Sequence, residues 1–176
     1  MYNRRIYRNK RFQKEVQREV RSLSSEKRVI TTQNYASDVL YNDINILKET
    51  YPFIETGEIG RSVLNKSIPY IKIGTGGNKV FYSAAIHANE WITAPILMKY
   101  LEECCLSLSN NDKLFGYDAN AVFNKATLYV VPMVNPDGVD LVTGGIQPGD
   151  RAYEKARIIA NNFPNINFPE RMESKY

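Results

Sequence analysis

Two nearly continuous apolar runs, residues 79–86 and 126–134, limit most strongly what this chain can fold into. Such runs are typical of sheet strands that are covered on both faces, because a strand with one wet face would alternate apolar and polar residues. Between them, apolar side chains recur at helical spacing from Leu97 to Leu108, with Pro95 placed in the first turn. Strands separated by helices predict an α/β fold.

The other segments predict the rest of a mixed sheet that is flanked by helices. Residues 53–63 and 68–73 are typical of two antiparallel strands, and the second alternates with period two before the glycine-rich turn at 74–77. A helix with Ser37 or Asp38 as its N-cap is expected to stop at Tyr51-Pro52, and a later one is expected to run from Asp150 through Asn161.

The chain divides into a basic N-terminal segment, residues 1–34, and a globular part, residues 35–176. Residues 1–28 carry ten basic and three acidic side chains, a charge of +7, whereas the whole chain carries only +4. Apolar residues from Phe12 to Leu23 at helical spacing predict an amphipathic helix. Such a helix can be a solvated element packed loosely on the domain, or it can contact an anionic surface; nothing in it predicts recognition of a specific nucleic acid.

Cysteine content and hydropathy exclude two classes of protein. Cys104 and Cys105 are adjacent in a helical pattern, where they cannot readily pair, so a disulfide framework is excluded and buried packing is expected. The first residues lack the apolar stretch of a signal peptide, and no apolar run is long enough for a transmembrane helix. These features predict a cytoplasmic location.

One pair of residues has the geometry of a metal site. His87 is the sole histidine, it follows an apolar strand, and Glu90 lies three residues later at the start of a helix. An imidazole nitrogen and a carboxylate oxygen at this spacing can converge on one zinc ion. The pattern H-x-x-E alone is weak, because it arises often by chance.

The sequence around this pair resembles the zinc carboxypeptidase family. The resemblance rests on Val80-Phe-Tyr-Ser-Ala-Ala-Ile-His-Ala-Asn-Glu-Trp-Ile-Thr-Ala-Pro95, followed in order by Leu128-Tyr-Val-Val-Pro-Met-Val-Asn-Pro-Asp-Gly138. Specifically, the sequence looks like the bacterial branch that cleaves γ-D-glutamyl to diamino-acid bonds in peptidoglycan stem peptides. This resemblance implies a zinc peptidase acting on peptides derived from the cell wall, with His87 and Glu90 as two zinc ligands and Zn²⁺ as the cofactor.

The same resemblance indicates what the 176 residues do not supply. The family takes a second histidine ligand, the general-base glutamate and its substrate-binding residues from later segments, so no catalytic residue is assigned here. The chain is therefore expected to represent the N-terminal part of the catalytic domain, an incomplete sheet that is truncated and catalytically incomplete. Asp137, in the predicted Asn135–Gly138 turn, is assigned no chemistry because a Pro-Asp-Gly turn accounts for it.

Two other functions fit parts of the sequence. A non-catalytic fragment that binds cell wall or another anionic polymer through residues 1–28 would explain the missing base and the +7 segment. A zinc amide deacylase would use the same H-x-x-E pattern, although Trp91-Ile-Thr93 and the Asn-Pro-Asp-Gly segment favour the peptidase.

Overall fold

A four-stranded mixed sheet forms the centre of the fold. A computed structural model describes Val29 and residues 34–162, so the helix predicted in residues 1–28 lies outside the described residues. The strands of the sheet are β1 Glu55–Arg61, β2 Ser67–Ile73, β3 Asn78–Ser83 and β6 Ala126–Val131; a separate hairpin is formed by β4 Lys113–Leu114 and β5 Tyr117–Asp118. The four strands of the sheet lie in the order β1-β2-β6-β3, with β3 and β6 parallel and the other neighbours antiparallel. This arrangement confirms the mixed sheet of the predicted α/β fold.

Five helices flank the sheet within residues 34–162. They are α1 Ser37–Thr50, α2 Thr93–Asn110, α3 Ala119–Lys125, α4 Pro136–Thr143 and α5 Arg151–Asn161. Helix α2 forms the crossover that the parallel pair of strands β3 and β6 requires. Among the described residues, every helix is too short or too polar to cross a bilayer.

The hydrophobic core joins α1 and α2 to β2 and β6. Its fully buried side chains include Leu40, Leu47, Ile71, Met98 and Val130. Cys104 and Cys105 are buried free thiols in this core, as predicted. Burial raises the pKa of the Cys104 thiol to about 11, which keeps that thiol protonated near neutral pH.

The prediction that the first apolar run is covered on both faces is wrong. Strand β3 ends at Ser83 rather than at Ile86, and every residue of β3 is exposed, with Phe81 at 61%. β3 lies at the edge of the sheet, no other described strand pairs with its outer side, and the described elements leave the side chains on both of its faces exposed. The second run was predicted correctly, because β6 lies between β2 and β3 and its residues are buried or half-buried.

The predicted side-chain cap of α1 is also wrong. Ala36 occupies the N-cap position, and neither Ser37 nor Asp38 caps the helix from there. Instead the Asp140 carboxylate accepts hydrogen bonds from the Ser37 backbone N–H and from the Ser37 hydroxyl, each at 2.6 Å. A tertiary contact across more than one hundred residues thus satisfies a backbone donor that a local side chain usually satisfies.

The Asn-Pro-Asp-Gly segment begins a helix instead of forming a turn between strands. Asn135 is the N-cap of α4, and its side-chain oxygen accepts from the Gly138 N–H at 2.9 Å. Pro136 follows in the first helical turn, where its missing N–H removes no helical hydrogen bond. The residues that favour turns also favour helix starts, which is why the sequence pattern did not separate the two.

Candidate metal centre

The side chains of His87 and Glu90 lie together on the surface. The His87 Nδ1 atom is 3.1 Å from Glu90 Oε2, and the two side chains are 72% and 56% exposed. The sequence predicted that this pair converges, and the structure places it so. An exposed pair of this kind contributes at most about 1 kcal/mol to stability.

The donor atoms of this pair fit zinc. Zinc takes imidazole nitrogen and carboxylate oxygen at about 2.0–2.2 Å, so two such donors on one tetrahedral ion lie about 3.4 Å apart. The observed separation of 3.1 Å is somewhat shorter, because the two atoms form a direct hydrogen bond that zinc would have to replace. Within residues 34–162 and Val29, no group of three or more histidine, cysteine, aspartate or glutamate side chains is arranged around one point. The described residues therefore offer two ligands.

A short 3₁₀ turn, Ala88–Glu90, holds the two side chains on the same side of the loop. His87 precedes the turn with an extended backbone, and its carbonyl oxygen accepts from the Glu90 N–H at 3.1 Å. Glu90 therefore belongs to this turn, whereas helix α2 begins only at Thr93, so the prediction that Glu90 starts the helix is corrected. This hydrogen bond, between residues i and i+3, places His87 and Glu90 one 3₁₀ turn apart.

Backbone hydrogen bonds to β6 and its extension fix the segment before His87. The Ala84 N–H donates to the Val131 carbonyl oxygen, and the Ala84 carbonyl oxygen accepts from the Val134 N–H, each at 3.0 Å. The Ala85 carbonyl oxygen accepts from the Asn135 N–H at 3.1 Å. The approach to His87 is thus held by main-chain contacts even though regular strand β3 has already ended.

The start of α4 packs directly against the 3₁₀ turn. A Cβ atom built on Gly138 would lie 2.9 Å from the Ala88 Cβ and 2.5 Å from the Asn135 Nδ2. Real Cβ atoms do not approach so closely, so a glycine permits this contact between the helix and the turn that joins His87 to Glu90. Sequence reasoning assigned the glycine to a turn and missed this packing role.

Asp137 points to a different part of the molecule. Its carboxylate accepts from the Ser62 hydroxyl at 2.8 Å and from the Leu64 N–H at 2.9 Å, in the loop between β1 and β2. These bonds tie that loop to the first turn of α4. Asp137 therefore has a structural role in this arrangement.

An open apolar groove of about 590 Å³ lies beside the loop that carries the pair. It is lined by Tyr82, Ser83, Ala84, Thr93, Ile96, Leu97, Tyr100 and Phe115, none of which carries a charge at neutral pH. The Tyr100 and Phe115 rings stack there with their centroids 6.3 Å apart. The groove offers mainly apolar and aromatic contacts.

Comparison with known proteins identifies what the chain resembles. A sequence profile described as zinc carboxypeptidase matches residues 40–175. The chain is 45% identical over 136 residues to gamma-D-glutamyl-L-diamino acid endopeptidase 1 of Lysinibacillus sphaericus, a match over 77% of this chain and 34% of that protein. It is 38% identical over 135 residues to the uncharacterized protein YqgT of Bacillus subtilis, over 76% and 36% of the two chains.

The fold is similar to that of solved carboxypeptidase-like structures. The crystal structure of thrombin-activatable fibrinolysis inhibitor superposes with a TM-score of 0.57 at 20% identity, over 74% of this chain and 33% of that one. This likeness concerns the fold alone. The chain spans about a third of the length of the relatives that it matches.

Proposed function

The chain belongs to the zinc carboxypeptidase family, and from that membership we propose that it contributes His87 and Glu90 as zinc ligands to a metallopeptidase site. One observation carries the proposal: the imidazole nitrogen and the carboxylate oxygen lie 3.1 Å apart, exposed, on one short turn. Their spacing and donor types fit zinc, and the pair lies within the profile match at residues 40–175.

The roles of the residues follow from this geometry. His87 and Glu90 bind and orient the ion at the surface, and the packing of α4 on the 3₁₀ turn keeps them in place. When bound, zinc supplies Lewis-acid chemistry for hydrolysis of an amide. The 176 residues contain one histidine, so the second histidine that the family resemblance implies has no counterpart among them. We therefore expect this polypeptide by itself to bind zinc weakly and to cleave peptides poorly.

The proposed substrate is a peptide from the bacterial cell wall. The Lysinibacillus relative is named for a gamma-D-glutamyl-L-diamino acid bond, and the chain is 45% identical to it across the matched residues. Because the matched region includes both proposed ligands, we propose the same class of bond here, as found in peptidoglycan stem peptides. Family membership favours this peptidase function over a zinc amide deacylase.

The test compares the 176-residue chain with a hybrid in which it replaces the matched third of the Lysinibacillus relative. We expect the hybrid to bind one zinc ion and to cleave a γ-D-glutamyl-L-diamino-acid peptide, and the chain alone to do neither efficiently. Zinc content after dialysis and chromatography of the cleaved peptide measure the two results. A hybrid that folds but neither binds zinc nor cleaves would contradict the proposal.

Matched variants locate the ligands in that hybrid. His87→Ala and Glu90→Gln should each abolish stoichiometric zinc binding, because each removes one donor atom from the ion. Glu49→Gln is the control, since Glu49 is an exposed carboxylate on α1. If Glu49→Gln weakens zinc binding as much as Glu90→Gln does, the effect is one of general charge and Glu90 is not a ligand.

A second role, attachment to an anionic polymer, is favoured by the charge of residues 1–28. Ten basic side chains against three acidic ones would attract cell-wall polymer or anionic lipid. Sedimentation of the chain with wall fragments should then fall as salt rises. Binding that is unchanged after deletion of residues 1–28 would exclude attachment through this segment.

A further inference from the structure

We propose that Thr93 is a positioning residue for the metal-binding loop, residues 85–93. It holds this loop in the conformation in which His87 and Glu90 can both bind zinc. Thr93 is the first residue of α2 and lies three residues after Glu90. Its half-buried side chain forms hydrogen bonds with backbone atoms of Ala85 and Glu90 and with neither ligand donor atom. The inference rests on the proposed function, since it concerns how His87 and Glu90 are held for zinc.

The Thr93 hydroxyl joins the two ends of the loop. It accepts a hydrogen bond from the Ala85 N–H at 2.9 Å, and it donates one to the Glu90 carbonyl oxygen at 2.7 Å. Ala85 lies two residues before His87, and Glu90 is the second proposed ligand. One oxygen atom therefore closes a ring that contains both ligand residues, and it uses both its donor and its acceptor capacity to do so.

The conformation of Ala85 shows why the loop needs this contact. Ala85 has a φ of +47°, in the left-handed region that a residue with a Cβ rarely adopts. Such a backbone persists only where its surroundings fix it, and it is common at functional sites. Ala85 is 2% exposed, its N–H is bound by Thr93 and its carbonyl oxygen by the Asn135 N–H. Without the Thr93 hydroxyl, one of these two hydrogen bonds to the Ala85 backbone is lost.

The exposure of the ligand pair makes the restraint important. His87 and Glu90 are more than half exposed, so few side-chain contacts restrict their positions. Metal affinity depends on the partners that orient the ligands, and removal of one such partner typically weakens binding by about ten- to a hundredfold. Thr93 acts in that way through the backbone, because it binds the carbonyl of Glu90 itself.

The experiment compares Thr93→Val with Thr93→Ser. Valine keeps the shape and removes the hydroxyl, whereas serine keeps the hydroxyl. In the zinc-binding hybrid, calorimetric titration with Zn²⁺ should show an affinity lower by about ten- to a hundredfold for Thr93→Val and close to the parent for Thr93→Ser. Equal affinities for the parent and Thr93→Val would overturn the inference, since a merely structural residue would change stability alone.

A second measurement does not depend on metal. Amide hydrogen exchange at Ala85, followed by NMR without zinc, should be slow in the parent and in Thr93→Ser and fast in Thr93→Val. If the parent binds no zinc, the proposed function fails, and exchange at Ala85 still decides whether Thr93 clamps the loop. Unchanged protection in Thr93→Val would refute the clamp.

A third variant covers the case in which Thr93→Val does not fold. Ala85→Gly removes the strain of the positive φ, because glycine adopts that region readily. In this background the protein should fold even without the hydroxyl. The double variant Ala85→Gly with Thr93→Val should still bind Zn²⁺ more weakly than Ala85→Gly alone. Equal affinity of these two proteins would overturn the inference.

Discussion

Replacement of Asp140 by asparagine should destabilise the whole domain, because one buried carboxylate joins three separate segments. Asp140 is 4% exposed. Its Oδ1 accepts from the Ser37 N–H at 2.6 Å, and its Oδ2 accepts from the Ser37 hydroxyl and forms an ion pair with Lys66 Nζ. Helix α1, the loop between β1 and β2, and helix α4 therefore meet at this side chain.

The magnitude follows from what the substitution leaves behind. An asparagine can still accept the Ser37 N–H, but its NH₂ group then faces the Lys66 ammonium and the Ser37 hydroxyl. A hydrogen bond to a charged group contributes about 1.5–3 kcal/mol, and breaking a buried ion pair from one side costs about 3–5 kcal/mol. Because the Lys66 side chain keeps 24% exposure, water compensates part of the loss. We expect a loss of about 3 kcal/mol in the free energy of unfolding.

Equilibrium unfolding in urea at pH 7 measures this loss. With a slope of about 1–3 kcal/mol per molar urea, the midpoint should fall by about 1–3 M, and the melting temperature should fall by roughly 6–12 °C. The control is Asp38→Asn, an exposed carboxylate in the first turn of α1, which should change the free energy by less than about 1 kcal/mol.

A double variant separates the ion pair from the hydrogen bonds. Lys66→Met removes the ammonium that Asp140→Asn leaves without its carboxylate, so the two substitutions together should cost less than the sum of the single ones. Two results would contradict this role of Asp140: a free energy of unfolding for Asp140→Asn within about 1 kcal/mol of the parent's, or additive effects of Asp140→Asn and Lys66→Met.

Four further predictions test the packing, the sheet edge and the buried thiol. Gly138→Ala should lower the free energy of unfolding, measured in urea, by about 1–3 kcal/mol, because the new Cβ overlaps Ala88. Adding Ala88→Gly should recover part of that loss. If Gly138→Ala causes no loss, α4 can move away from the 3₁₀ turn. Met98→Ala should cost about 2–5 kcal/mol by the same measurement, since this side chain is fully buried, and a smaller loss would mean that the core collapses into the cavity. Because β3 is an exposed edge strand, we expect the parent chain to associate as its concentration rises in sedimentation velocity, and Phe81→Lys, which places a charge on that strand, should reduce the association; a parent that does not associate, or a variant that associates equally, would contradict this. Burial raises the pKa of Cys104 to about 11, above the ordinary value of 9.0, so its contribution to stability is complete below pH 9 and is lost as the pH rises from 9 to 11. In Cys104→Ala the urea midpoint should fall less between pH 9 and pH 11 than it does in the parent. An identical fall would contradict the assignment of this pH dependence to Cys104.

Local patterns determined much of what the sequence could predict. Hydrophobic spacing and the positions of Gly and Pro located α1, α2, α5 and the four strands of the main sheet, because hydrophobic spacing reports which face of an element can be buried. Helix α3 and the hairpin of β4 and β5 were not predicted. The pairing of His87 with Glu90 was also predictable, since their three-residue separation is local and a single turn brings them together. Their function as zinc ligands stays a prediction for the zinc measurements to decide.

Tertiary structure alone decided the contacts that join distant residues. An apolar run shows that a strand can be buried, but the packing of other elements on its two faces decides whether it is, and the side chains of β3 are exposed. Likewise Asp140 caps α1 from 103 residues away, and Thr93 binds Ala85 only because the chain doubles back at the loop that carries His87 and Glu90. Such bonds depend on where folded segments meet in space, and side-chain periodicity contains no record of that meeting.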